Sequence, residues 1–179
     1  MAVVALRVVI FAGLLIICEG QRHGGFEDQY IGCFLDKDDR ALESIAYKDR
    51  TQTNSNGRCI RECSSRGFMF AGTQVGHECH CGNNNDYKKH GSKPKDCTLG
   101  CQGNTAETCG GNWRLQIYSV CPIGKYKGAG EAVIDGKPNC ESECHCKALP
   151  CLYLNGICTD GCAIGWKEDA CNERGITIF

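Results

Sequence analysis

The chain opens on an unbroken apolar run, Val8 to Cys18, behind the single charge of Arg7. Eleven residues are too few to span a bilayer, which needs roughly 20. Small residues follow, with Cys18 and Gly20 suited to the −3 and −1 positions of a cleavage site. The pattern predicts a secretory signal peptide over 1–20, cut before Gln21. Beyond it the apolar positions come in short stretches. "QYIGCFLD" (29–36) and "FMFAGTQV" (68–75) are rich in aromatic and branched residues and read as strands. "RLQIYSV" (114–120) sets Leu115, Ile117 and Ser119 against Arg114, Gln116 and Tyr118, the alternation of a half-buried strand. "NSNGRCIRECSSRG" (54–67) reads as one short helix, capped by Asn54 or Ser55 and closed by Gly67. "GNNNDYKKHGSKPKD" (82–96) is a polar connection. These elements make one helix on a small antiparallel sheet, a disulfide-rich α+β fold.

Cysteine content changes this picture most. Of 17 Cys, Cys18 lies in the predicted signal, so sixteen remain. An even number in a short secreted chain reads as a disulfide framework. "GHECHCGN" (76–83) could instead suggest zinc, since His77, Cys79, His80 and Cys81 crowd together. Spacing argues against the metal. Cys59 and Cys63 are four apart and share one helix face; Cys79 and Cys81 are two apart and share one strand face. The two separations are similar, roughly 6 Å and about 6.5–7 Å. A helix can therefore be bolted twice to a strand. A Cys-x-Cys pair on a strand splays poorly around a tetrahedral ion. No metal and no cofactor is expected, and His77 and His80 are expected in solvent.

The sixteen cysteines split into two groups of eight, predicting domains over 27–120 and 121–172. The second packs its eight into the 51 residues from Cys121 to Cys171, well above the roughly 8–10% that marks a disulfide scaffold. Formal charge is −1, from 20 basic and 21 acidic residues with no basic block. That argues against nucleic-acid partners and anionic membrane surfaces. No second apolar run follows the first, so no membrane span is expected. No Asn-x-Ser/Thr triplet occurs. Asp36-Lys37-Asp38-Asp39 lacks the Gly and distal Glu of an EF-hand loop and reads as a solvated turn.

"YIGCF", "CIRECSSRGFMFAG", "ECHCG" and "CGGNWRLQIY", in this order and with eight cysteines, resemble the WSC domain. That domain occurs in fungal cell-wall stress sensors, Kremen receptors, polycystin-like ectodomains and some secreted glucanases. The resemblance covers Tyr30 to Val120. It implies a small α/β fold, carbohydrate binding, and the pairs Cys33–Cys97, Cys59–Cys79, Cys63–Cys81 and Cys101–Cys109. "CESECHCKALPCLYLNGICTDGCAIGWKEDAC" is similar to EGF-like repeats of scavenger and multiple-EGF receptors. There Cys162–Cys171 looks like the closing loop. The long gap between Cys121 and Cys140 departs from the usual repeat. Pairing of Cys121, Cys140, Cys144, Cys146, Cys151 and Cys158 stays open at this level. The acidic consensus of calcium-binding EGF repeats is missing, so calcium is not implied.

No Gly-x-Ser-x-Gly, Walker loop, His-Glu-x-x-His or Cys-x2-Cys motif appears. The sequence reads as a non-enzymatic binding protein, with glycans as the expected partner. Alternatives are an extracellular protein-interaction module or a structural matrix component. Sugar rings stack on aromatic rings while their hydroxyls bond amides and carboxylates. Trp113, Tyr87 and Tyr47 lie in polar stretches and are the candidate stacking residues. Asn83, Asn84, Asn85 and Asp86 would supply polar contacts. The competing reading packs Trp113 on Cys101–Cys109 and lays Tyr87 over the sheet edge.

Overall fold

Alternating side chains, a single capped helix and closely spaced cysteines assemble around one sheet. The computed structural model describes residues 22–128, 133–134, 137–148 and 150–175; the signal peptide expected over 1–20 lies outside them. Strands β1 (Tyr30–Leu35), β2 (Ser44–Lys48), β3 (Phe70–Gln74), β4 (Glu78–Gly82) and β7 (Arg114–Ser119) form a five-stranded antiparallel sheet in the order β1-β7-β3-β4-β2. Between β4 and β7 lies a short hairpin, β5 (Gly100–Cys101) with β6 (Asn104–Thr108). The helix, α1 (Asn56–Ser65), starts at Ser55, whose hydroxyl accepts the Arg58 N–H at 3.2 Å. It stops before Gly67, where φ is +78°.

The register separates two faces. Ala71 pairs with Cys81 and Tyr118, so all three point to the helix side. There they join Cys59, Ile60, Cys63 and Val120 in one buried cluster. Disulfides Cys59–Cys79 and Cys63–Cys81 clamp α1 to β4, each with Cα atoms 5.5 Å apart. Their sulfurs crowd together, Cys63 to Cys79 at 3.9 Å, yet all are consumed in S–S bonds. The opposite face carries Phe34, Leu42, Phe70, Tyr87, Leu115 and Ile117. Gly72 sits at its centre, where a Cβ would come within 2.9 Å of both Leu42 and Leu115. Cys33–Cys97 and Cys101–Cys109 tie down the loops after β4.

Three expectations are corrected. The strand over 114–120 is not half-buried: Gln116 and Tyr118 are fully buried, like Leu115 and Ile117. It lies inside the sheet, and its polar side is roofed by the N-terminal segment. His23 Nδ1 lies 3.1 Å from the Tyr118 hydroxyl, and Gln116 donates to the Thr108 carbonyl at 2.8 Å. His80 is also fully buried rather than solvated, because Arg40 and Glu78 cover it. Asp36 is not a solvated residue either. It is buried, accepts the Ala41 N–H at 2.8 Å and pairs with Arg40 at 2.8 Å. Lys37, Asp38 and Asp39 of the same turn are exposed.

The tail beyond Val120 has its own cluster, Cys144, Cys146, Cys151, Cys158 and Cys171, with Tyr126 and Trp166 against it. Its strands are two-residue pieces: β8 (Lys125–Tyr126), β9 (Val133–Ile134), β10 (Lys137–Pro138), β11 (Ser142–Glu143), β12 (Trp166–Lys167) and β13 (Glu173–Arg174). They pair as β8 with β11, β9 with β10 and β12 with β13. Covalent links are Cys121–Cys140, Cys144–Cys151, Cys146–Cys158 and Cys162–Cys171. The first closes the long gap on itself, so Cys121 takes no part in the three that follow. The tail touches the sheet domain where the Ser64 hydroxyl donates to the Cys121 carbonyl at 2.7 Å and where Ser119 and Tyr153 share a 2.6 Å hydrogen bond.

Candidate ligand-binding cleft

The motif Cys109-Gly110-Gly111-Asn112-Trp113-Arg114 makes a tight turn into β7. Gly111 and Arg114 exchange backbone hydrogen bonds at 3.0 and 3.1 Å, leaving Asn112 and Trp113 at the tip. The glycines are sterically required. A Cβ on Gly110, where φ is +72°, would lie 2.4 Å from the carbonyls of Thr73 and Arg114. One on Gly111 would lie 2.6 Å from the Asp96 carbonyl. Trp113 itself holds φ at +55°, a region that costs a bulky residue on the order of 1–3 kcal/mol. Its carbonyl is pinned by the N–H of Asp36 and by Arg114 Nη1, both at 3.0 Å. The indole is left 46% exposed. It does not pack away on Cys101–Cys109 as a core residue would.

Beside the indole lies a cleft of about 210 Å³ lined by Arg40, Lys48, Gln74, Glu78, Asn112 and Trp113. The β3–β4 hairpin supplies its floor, because Gln74 pairs directly with Glu78 and both point away from the helix. Strand β2 adds Lys48 opposite Glu78. A chain of charges and hydrogen bonds crosses this floor. Asp36 pairs with Arg40 at 2.8 Å, and Arg40 Nη2 lies 3.2 Å from both ring nitrogens of His80. His80 Nε2 meets Glu78 at 3.1 Å, and Lys48 meets the other Glu78 oxygen at 3.1 Å. The Arg40 guanidinium stands 5.5 Å from the Trp113 ring centre, within cation–π range. Gln74 is only 4% exposed, and its Oε1 has no hydrogen-bond partner among the described residues. Arg40 Nε is likewise unpartnered.

The hydrogen bond from His80, with Lys48 adding to it, holds the Glu78 carboxyl down from its ordinary 4.5 to about 2. A depressed folded-state pKa stabilises above the ordinary value, and that contribution is lost as pH falls through the folded one. Wild type is therefore expected to melt above Glu78→Gln at neutral pH. The gap should narrow between pH 4.5 and pH 2. Thermal melts of both proteins across that range check it; a gap independent of pH would refute the assignment.

The other expected site residues lie elsewhere. Tyr87 has no exposed surface; it is wedged edge-on against Phe34 and Phe70. It is a core residue, because the polar loop over 82–96 folds back across the sheet. Tyr47 is on the helix side, away from the cleft. Its hydroxyl donates to Asn54 at 2.8 Å and its ring is covered by Arg58 at 4.3 Å. Neither offers a free face for stacking. Asn83, Asn84, Asn85 and Asp86 follow the far end of β4, about 16 Å from Glu78 at ~3.3 Å per residue. They serve the turn: Asn83 Oδ1 accepts the Met69 N–H at 2.8 Å, and Asn84 Oδ1 caps the 3-10 turn Asn85–Lys88 by accepting from Asp86 at 3.2 Å. Trp113 is thus the one expected residue at the cleft. Arg40, Lys48, Gln74, Glu78 and Asn112 were missed, although "TQVGHEC" carries the hairpin register that sets Gln74 opposite Glu78.

Comparison with known proteins fits the fold. Residues 30–111 match the model of the WSC domain family. A 90-residue stretch is 36% identical to Xylosyltransferase oxt of Drosophila melanogaster, covering 50% of this chain and 10% of that protein. Kremen protein 1 of Xenopus laevis is 37% identical over 90 residues, 49% of this chain and 20% of its own length. Kremen protein 2 of Mus musculus is 34% identical over 101 residues, 55% and 21% respectively. The matched stretch thus spans between a tenth and about a fifth of these relatives.

Proposed function

From the match of residues 30–111 to the WSC domain model, we propose that this protein is a secreted, non-enzymatic binding module that holds a glycan on Trp113. One observation carries the reading. A large aromatic ring is held half in solvent, on a strained and doubly pinned backbone, at the mouth of a cleft lined by a carboxylate and amides. Strain persisting in this way clusters at functional sites, and such linings suit sugars. The same segment recurs in small fractions of relatives bearing different names, as befits a module combined with other domains. The cleft's ions are paired as Asp36–Arg40 and Lys48–Glu78, and the sequence carries no Gly-x-Ser-x-Gly, Walker or His-Glu-x-x-His motif. We read the tail as an EGF-like module; its last six cysteines pair first with third, second with fourth and fifth with sixth.

The test is pull-down on insoluble chitin, β-glucan and cellulose, followed by a glycan array, with wild type and Trp113→Ala. The variant is expected to lose about tenfold in affinity, ~1.4 kcal/mol. Its melting point should barely move, since the residue is 46% exposed and both hydrogen bonds that pin it go to the backbone carbonyl, which alanine keeps. Equal binding by both proteins, or no glycan bound by wild type, removes the reading. A second reading, protein interaction, draws on the 590 Å³ groove between α1 and the tail, lined by Phe26, Ile60, Val120, Leu152 and Tyr153.

A further inference from the structure

The charge pairing in the cleft selects among glycans, an inference that rests on the glycan reading above. Two of the lining residues hold a buried polar atom with no partner among the described residues, the acceptor Gln74 Oε1 and the donor Arg40 Nε. A buried polar group left unpaired loses the hydrogen bond it had with water, so a ligand that satisfies both is favoured. A sugar hydroxyl both donates and accepts, and every sugar, neutral or anionic, carries several, so this character favours sugars as a class. Charge narrows that class. The cations at the cleft are already paired, Arg40 with Asp36 at 2.8 Å and Lys48 with Glu78 at 3.1 Å. An incoming anion would find the ionised Glu78 carboxylate and no unshared positive charge, so like-charge repulsion would oppose it. Size also limits the occupant. The 210 Å³ cleft is below the ~300 Å³ that marks the lower end of drug-sized sites, which suits one ring rather than a run of sugars. We propose that the cleft takes a single neutral pyranose unit, stacked on Trp113, with hydroxyls directed to Gln74 and Arg40, and that it discriminates against uronic and sulfated sugars.

The experiment uses the full mature chain on an array holding neutral glycans (β-glucan, xylan, mannan and chitin oligomers) beside anionic ones (polygalacturonate, hyaluronan, heparan sulfate). Isothermal titration of the best binder then compares wild type with Gln74→Leu. Leucine is near in size and removes an unpaired polar atom, so the melting point should stay level or rise. Affinity for the neutral glycan should fall about tenfold. Asn112→Ala, at an exposed position on the turn tip, should also weaken binding, and it serves if Gln74→Leu fails to fold. Neutral binding that is weakened in these variants supports the proposal. Preference for the anionic set overturns it and leaves the glycan reading standing. Neutral binding unchanged in both variants also overturns it. Absence of binding to every glycan removes this inference and the glycan reading together.

Discussion

Tyr87→Ala is expected to cost the protein about 3–5 kcal/mol of stability, the range for truncating a large buried aromatic. Tyr87 is, with Tyr118, the largest fully buried side chain among the described residues. Its ring meets Phe34 with centroids 4.9 Å apart and Phe70 at 5.1 Å, both edge-on, the geometry in which aromatic pairs add to simple burial. It belongs to the cluster with Leu42, Leu115 and Ile117 that fills the face away from α1. A cavity there has little means of closing, because disulfides hold the surrounding backbone. Differential scanning calorimetry under non-reducing conditions should show a fall of more than about 12 °C, at ~4 °C per kcal/mol for a domain of this size. Glycan binding measured below the melting temperature should persist. A loss under about 1 kcal/mol would mean that the loop over 82–96 does not lie on the sheet as described.

Removing Cys33–Cys97 by a double alanine substitution is expected to cost about 4 kcal/mol, the chain-entropy value for a bridge that closes a long loop. Its cysteines are 64 positions apart, the largest separation among the disulfides, whereas Cys101 and Cys109 are 8 apart. Losing Cys101–Cys109 should cost only about 2.5 kcal/mol on the same basis. The long bridge does more than shorten the unfolded chain. It anchors to β1 the segment that carries Tyr87, with help from Lys93 N–H to the Cys33 carbonyl at 2.8 Å and Leu35 N–H to the Gly91 carbonyl at 3.0 Å. Tyr87→Ala and loss of Cys33–Cys97 should therefore be non-additive, since each loosens what the other holds. Denaturant melts of the single variants and their combination measure this. Strict additivity, or a larger loss from Cys101–Cys109, would contradict the account.

Local pattern by itself determined the helix, four of the five main strands and the double staple between α1 and β4. Those features follow from spacings of two and four residues and from a cap, all short-range quantities. It also singled out Trp113, because a large aromatic between glycines and polar residues has no local apolar company. Tyr87 satisfied the same criterion and is in the core. What separates the two is a fold-back: the loop over 82–96 crosses the sheet and delivers Tyr87 to Phe34 and Phe70, contacts distant in sequence. Tyr47 reads as part of a polar stretch because "SIAYK" is too short and mixed to announce β2, which exists through its pairing with β4. The burial of Gln116, Tyr118, His80 and Asp36 likewise depended on what covers them, namely the segment at His23, Arg40 and the Arg40–Glu78 chain. The cleft is the clearest case. Arg40, Lys48, Gln74, Glu78, Asn112 and Trp113 come from four separate parts of the chain. Only strand register and the turn at Gly110–Arg114 bring them to one end of one face.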